Sequence, residues 1–182
     1  MDLPGWLFAL LVVALLAWYL SFSASRIDRL HHRVEGARSA LDAQLVRRAE
    51  AAVELATSGA LDPASGLLVA GAASDALEVG EHDGGEERRE RAESDLSRAL
   101  QVALEPDLVA VLRGDLVAGP LLERLRASSH RVQLARRFHN DAVTDATRVR
   151  AKPIARWARL AGRADPPETF EMDDDPPLAL AR

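Results

Sequence analysis

The chain of 182 residues has no cysteine, one lysine (Lys152) and only 4% aromatic residues. The lack of cysteine excludes disulfides and thiolate metal sites. The lack of lysine puts almost all positive charge on arginine. Hydrophobic residues nevertheless make up 48% of the chain, mostly Ala, Leu and Val, a composition that favours close-packed helices over sheets. Strand-like alternation of useful length is missing throughout. The net charge of −5 weighs against a nucleic-acid partner.

What is present first is a long uncharged run. No charged residue lies between Asp2 and Arg26, and the centre reads GWLFALLVVALLAWYL over 5–20. About 20 residues at 1.5 Å rise cover a hydrocarbon core of roughly 30 Å. The Leu, Val and Phe residues of the run contribute about −0.3 to −0.6 kcal/mol each towards insertion. Trp6 near one end, with Trp18 and Tyr19 near the other, suits interfacial anchoring. Residues 1–25 are therefore expected to form a transmembrane helix. The rival, a cleaved signal peptide, wants a basic leader and an A-x-A-like site; MDLPG has no basic residue and SFSAS is a poor match. Arg26, Arg29, Arg33 and Arg38 follow the run closely, so the positive-inside rule places the rest of the chain in the cytoplasm and the short N-terminus outside.

Beyond the run the apolar positions step by three and four. Ile27, Leu30, Val34, Ala37, Leu41, Leu45, Ala52 and Ala56 form one stripe, interrupted at Arg48, and Gly59 is a plausible stop. Asp62-Pro63 offers a cap and a first helical residue for a second stripe of Leu68, Ala72, Ala76 and Val79. Ala92, Leu96, Ala99 and Ala103 make a third, broken at Glu105-Pro106. The longest runs Leu121, Leu125, Ser128, Val132, Ala135, His139, Ala142, Ala146, Val149, with Pro120 in its first turn or marking its start. The expected fold is all-α: a membrane-anchored antiparallel bundle of four-helix type, its first helix continuous with the span, over residues 26–163. Coiled-coil-like packing of the stripes is implied.

Residues 148–163 carry six positive charges and no negative one; residues 164–175 carry the reverse. Pro166-Pro167 and Pro176-Pro177 mark 164–182 as an acidic, extended and disordered tail.

The segment RVEGARSALDAQLVRRAEAAVELA (33–56), with Gln44-Leu45 and Arg47-Arg48, resembles the first-helix signature of the LemA family. PDLVAV (106–111) is similar to that family's proline-aspartate-leucine corner, and RVQLARRFHNDAV (131–143) to its arginine-rich helix, with Asn140 retained. Pro153 and Phe170-Glu171 sit where the family has a proline and a terminal Phe-Phe-Glu. His139 replaces a family tyrosine, Ala146-Thr147 replaces a second Tyr-Asn pair, and residues 59–90 match poorly. The resemblance implies a helical bundle on a membrane anchor and implies no activity.

Candidate sites are few. His139 falls in an apolar stripe without a local nucleophile, so it is expected as a polar residue of the core with a hydrogen-bonding partner. His31-His32 diverge on a helix, His82 lies in a connection, and His130 and His139 are nine apart, so no metal-ligand spacing and no cofactor motif emerges. RGD at 113–115 sits in helical surroundings and is discounted as an adhesion motif. Arg148, Arg150, Lys152, Arg156, Trp157, Arg159 and Arg163 form the profile of a basic amphipathic helix. Two readings of it stand: contact with anionic lipid or a protein partner, or packing of Trp157 and Leu160 on the bundle while the arginines pair with the acidic tail. The expected function is that of a single-pass cell-membrane protein acting as a non-enzymatic scaffold or adaptor, with membrane lipids and a protein partner or self-association. The alternatives are a membrane-tethered enzyme or enzyme subunit, or a self-associating envelope structural protein.

Overall fold

Helix α1 runs unbroken from Gly5 to Thr57. It is followed by α2 (Pro63–Glu81), α3 (Glu86–Ala103), the short α4 (Pro106–Arg113) and α5 (Ala118–Arg150). The structure, a computed structural model, describes residues 5–81, 85–151, 166–177 and 180; within α1 the side chains of residues 20, 23 and 24 fall outside that set. Among the described residues every regular element is helical, so the fold is an all-α helical bundle, with four long helices and one short one.

The termini follow local chemistry. Gly59 adopts a positive φ of 80°, where a side chain would be strained, and α1 ends just before it. The Asp62 carboxylate accepts from the backbone N–H groups of Ala64 (3.0 Å) and Ser65 (3.1 Å), capping α2, and Pro63 opens the helix where no N–H is needed. Ser65 and these backbone groups hold the Asp62 pKa below its ordinary value. Pro106 does more than break α3: it supplies the first residue of α4. Asp115 accepts from the N–H groups of Val117 and Ala118, both at 2.8 Å, and these bonds lower its pKa. The RGD triplet is thus the last residue of one helix, a glycine and the cap of the next.

The chain divides into two units, to which α1 and α5 both contribute. One comprises Met1–Ala37 with Asn140–Thr169. Its small core is Val34, Ala142, Val143 and Ala146, flanked by Leu30 and Ala37. Arg33 donates to Asp145 at 3.4 Å across the same pair of helices. From Gly5 to Phe22 the described side chains of α1 are exposed, including Trp6 (65%), Phe8 (69%) and Trp18 (70%). Among the described residues no helix is long and apolar enough to cross a membrane.

The other unit comprises Arg38–His139 with Phe170–Arg182. Its main core joins Ala52 and Leu55 of α1, Val69 and Ala73 of α2, Leu96 and Leu100 of α3, Val109 of α4, and Leu122 and Leu125 of α5. Small residues on α1 and α2 permit close approach; a Cβ on Gly66 would lie 3.1 Å from the Ala56 carbonyl oxygen. A second cluster packs Leu41, Leu45 and Val132 around Phe170 and Met172.

That second cluster corrects the expectation of a disordered tail over 164–182. Residues 166–177 are non-helical but placed, Phe170 is fully buried, and Met172, Pro177 and Leu180 are buried as well. Composition suggested a solvated acidic segment; two apolar side chains at alternate positions give it enough buried surface to be held. Residues 164, 165, 178, 179, 181 and 182 lie outside the described residues.

Candidate functional site

Arg48 is in phase with the α1 stripe, which the spacing alone reads as interrupted there. It is 3% exposed and reaches α3. Its Nη2 donates to the Glu93 carboxylate at 2.5 Å and to the Glu93 carbonyl oxygen at 3.0 Å, while Nη1 donates to Ser97 Oγ at 3.0 Å. Glu93 is likewise buried. A buried charge is tolerated only when paired and hydrogen-bonded, and the fork of a guanidinium meets three acceptors here at once. Nearer the start of α3, Arg38 pairs with Asp42 (3.2 Å) and Glu86, and Arg89 with Asp42 (3.2 Å), an alternating set that ties α1 to α3. Burial lowers the Arg38 pKa; Asp42 opposes it. The same guanidinium lies over the Phe170 ring, 4.8 Å from its centroid, in cation–π contact.

Ser97 passes this network to the C-terminal segment. It accepts from Arg48 and donates to the Asp173 carbonyl oxygen at 2.6 Å. Three neighbours on the same face of α3 act similarly. Glu90 accepts from the Glu171 N–H (2.7 Å), Ser94 accepts from the Asp173 N–H (3.0 Å), and Gln101 donates to the Asp175 carbonyl oxygen (2.9 Å). Positions 90, 94, 97 and 101 share a helix face; positions 171, 173 and 175 share one side of an extended chain. A helix with a 3.6-residue period and a strand-like segment with a period of two are thereby held side by side over about 13–17 Å.

The alternate residues meet the rest of the bundle. Phe170 and Met172 are buried, and Asp174 is half-buried. Arg136 of α5 grips Asp174 with two parallel bonds, Nε to Oδ2 at 2.8 Å and Nη2 to Oδ1 at 2.9 Å, and lies 3.9 Å from a Glu171 carboxylate oxygen. Gln133, one turn earlier, donates to the Asp174 carbonyl oxygen at 2.9 Å. Asp174 of the acidic tail is thus held by Arg136 and Gln133 of α5.

Of the sites read from sequence, His139 is buried, 3% exposed, as its place in the stripe requires. Arg148 is exposed and 3.5 Å from Asp145 one turn earlier. Arg150 is the last residue of α5. Lys152, Pro153, Arg156, Trp157, Arg159 and Arg163, and likewise His82, lie outside the described residues. Sequence reading missed Glu93, Ser97, Gln133 and Arg136, and missed the polar face 90/94/97/101. The only signals for it were that helical spacing and the Phe-x-Met alternation at 170–172. Among the described residues no three His, Asp or Glu side chains converge as a metal-binding group. A shallow depression of about 330 Å³ between α2 and α3 is lined by opposed charges, including Asp75, Glu78, Arg88 and Arg91. This chain matches no family model, no curated protein and no solved structure.

Proposed function

We propose that this protein is a single-pass cell-membrane protein whose helical bundle stands on the cytoplasmic side as a non-enzymatic scaffold or adaptor. The observation that carries the reading is the first third of α1. A helix apolar on all faces has no side to turn towards water, and this one leaves Phe8, Leu10, Val13, Leu15 and Trp18 more than half exposed. The uncharged run continues to Ser25, giving about 20 residues and about 30 Å of helix. The arginines that follow set the orientation. The segments 33–56, 106–111 and 131–143 support kinship with the LemA family as part of the same proposal.

Scaffold or adaptor is the class that suits a bundle whose polar residues are spent on holding helices and a chain segment together. Arg48, Glu93 and Ser97 are buried and hydrogen-bonded to one another, and Arg136 is engaged by Asp174. The test is topological. A reporter active only in the cytoplasm, fused after Arg182, should be active, and one active only outside the cell should be silent. The reverse pattern, or recovery of the intact chain in the soluble fraction, would overturn the reading. Purification from mild detergent, followed by identification of what accompanies the chain, then tests the adaptor role.

A further inference from the structure

The C-terminal segment is held in a way that has more in common with ligand recognition than with core packing. Of its five described hydrogen bonds to α3 and α5 that involve backbone groups of 171–175, every one comes from a helix side chain, namely Glu90, Ser94, Ser97, Gln101 and Gln133. Such contacts hold any extended chain, whatever its side chains. Identity is read at three alternate positions, with a longer ion-pair contact from Glu171 to Arg136 beside them. Phe170 enters the apolar site formed by Leu41, Leu45 and Val132 beneath Arg38, Met172 follows it, and Asp174 takes the bidentate grip of Arg136. Between them, Glu171, Asp173 and Asp175 stay exposed. Main-chain contacts for affinity and alternate side-chain sites for specificity are the two parts of an extended-peptide receptor.

We propose that this track along α3 and α5 is a peptide-recognition site for an extended segment of a partner protein of pattern aromatic-x-aliphatic-x-aspartate, and that residues 170–175 are its resident competitor. The proposal deepens the adaptor reading by giving the partner's chemistry, and it is independent of the membrane span. The occupant is a different protein and not a second copy. A second copy brings the same six residues, so exchange replaces each contact with its equal and loses translational freedom. A partner segment displaces the tail only by fitting better or arriving at high local concentration, because the tethered tail acts at an effective concentration on the order of millimolar. Ser97 links occupancy of the track to the bundle interior, since the hydroxyl that holds the Asp173 carbonyl also accepts from Arg48.

The experiment uses the full chain in detergent micelles and a fluorescein-labelled peptide with the sequence of residues 166–177, followed by anisotropy. Three chains are compared: wild type, Phe170→Ala with Asp174→Ala, and that double variant with Arg136→Glu added. The double variant should bind the peptide at least about tenfold more tightly than wild type, whose track is filled. Arg136→Glu should cost about tenfold or more, and a peptide with alanine in place of its phenylalanine should not bind. An Arg136→Asp chain should in turn favour a peptide carrying arginine in place of the gripped aspartate. If the double variant loses helical circular dichroism, Asp174→Ala alone, which keeps Phe170, carries the comparison at higher peptide concentration. Equal binding by wild-type and tail-weakened chains, or indifference to Arg136→Glu, would overturn the proposal. So would a wild-type dimer that the peptide splits into monomers, because the occupant would then be a second copy's tail.

Discussion

Helix α1 carries two sequences on one backbone. From Gly5 to Phe22 its described side chains, nearly all apolar, are exposed on every face. From Ile27 to Leu55 it buries one stripe, with Leu41, Leu45 and Leu55 at 0% exposure, and keeps its charged residues other than Arg48 out of the buried core. Backbone hydrogen bonding does not distinguish the two stretches. The distribution of side chains does: a one-sided stripe specifies a neighbouring helix, and an all-round apolar surface specifies a surrounding medium.

The largest test of the striped half is at its one buried charge. Glu93→Ala leaves Arg48 buried without its carboxylate and should destabilise the bundle by about 3–5 kcal/mol, read as a lowered midpoint in chemical denaturation. Replacing both, Arg48→Met with Glu93→Leu, should restore most of that loss, because neither charge is left unpaired. Failure of the double variant to recover would show that Ser97 and the Asp173 carbonyl depend on Arg48 for their placement.

The halves are separated more directly by one substitution in each. Leu45→Ala should cost about 2–5 kcal/mol of bundle stability, through lost burial and a cavity beside Phe170. Leu11→Ala should leave the same denaturation midpoint unchanged and weaken insertion by only about 0.5 kcal/mol. Equal losses in the two variants would mean that Leu11 packs on protein, and the comparison would fail.

The smallest effect is at the caps. The folded-state pKa values of Asp62 and Asp115 are lowered, Asp62 by the Ser65 hydroxyl and backbone N–H groups and Asp115 by backbone N–H groups, so their stabilisation is present above the unfolded carboxylate range and is lost as pH falls through the folded values. The melting temperature of Asp62→Ala should therefore lie slightly below wild type at neutral pH and converge with it in acid below about pH 4. A gap that persists in acid would place the effect outside the carboxylate.

Much of the bundle was legible because its signals are local. Gly59, Asp62-Pro63 and Pro106 mark helix ends by backbone geometry that a few residues determine, and His139 sits buried where its stripe places it. Arg48 was not legible. A charge in a stripe reads as a break until its partner is known, and Glu93 is 45 residues away. The tail was misread for a related reason. Its composition is that of a solvated segment, but disorder depends on whether a receiving surface exists, and that surface is assembled from α1, α3 and α5. Glu90, Ser94, Ser97 and Gln101 look like an ordinary wet face of α3 until residues 171–175 lie along it.

The central claim is that the first stretch of α1 sits in a bilayer with the bundle in the cytoplasm, and the missing cysteines make it directly measurable. Single cysteines placed by Val12→Cys and by Leu116→Cys, the latter at a side chain 95% exposed, are probed in cells with a membrane-impermeant maleimide. The account predicts that Leu116→Cys is unlabelled in intact cells and labelled once they are permeabilised, whereas Val12→Cys stays unlabelled in both until detergent dissolves the membrane. Labelling of Val12→Cys in permeabilised cells before detergent, or of Leu116→Cys in intact cells, would contradict it.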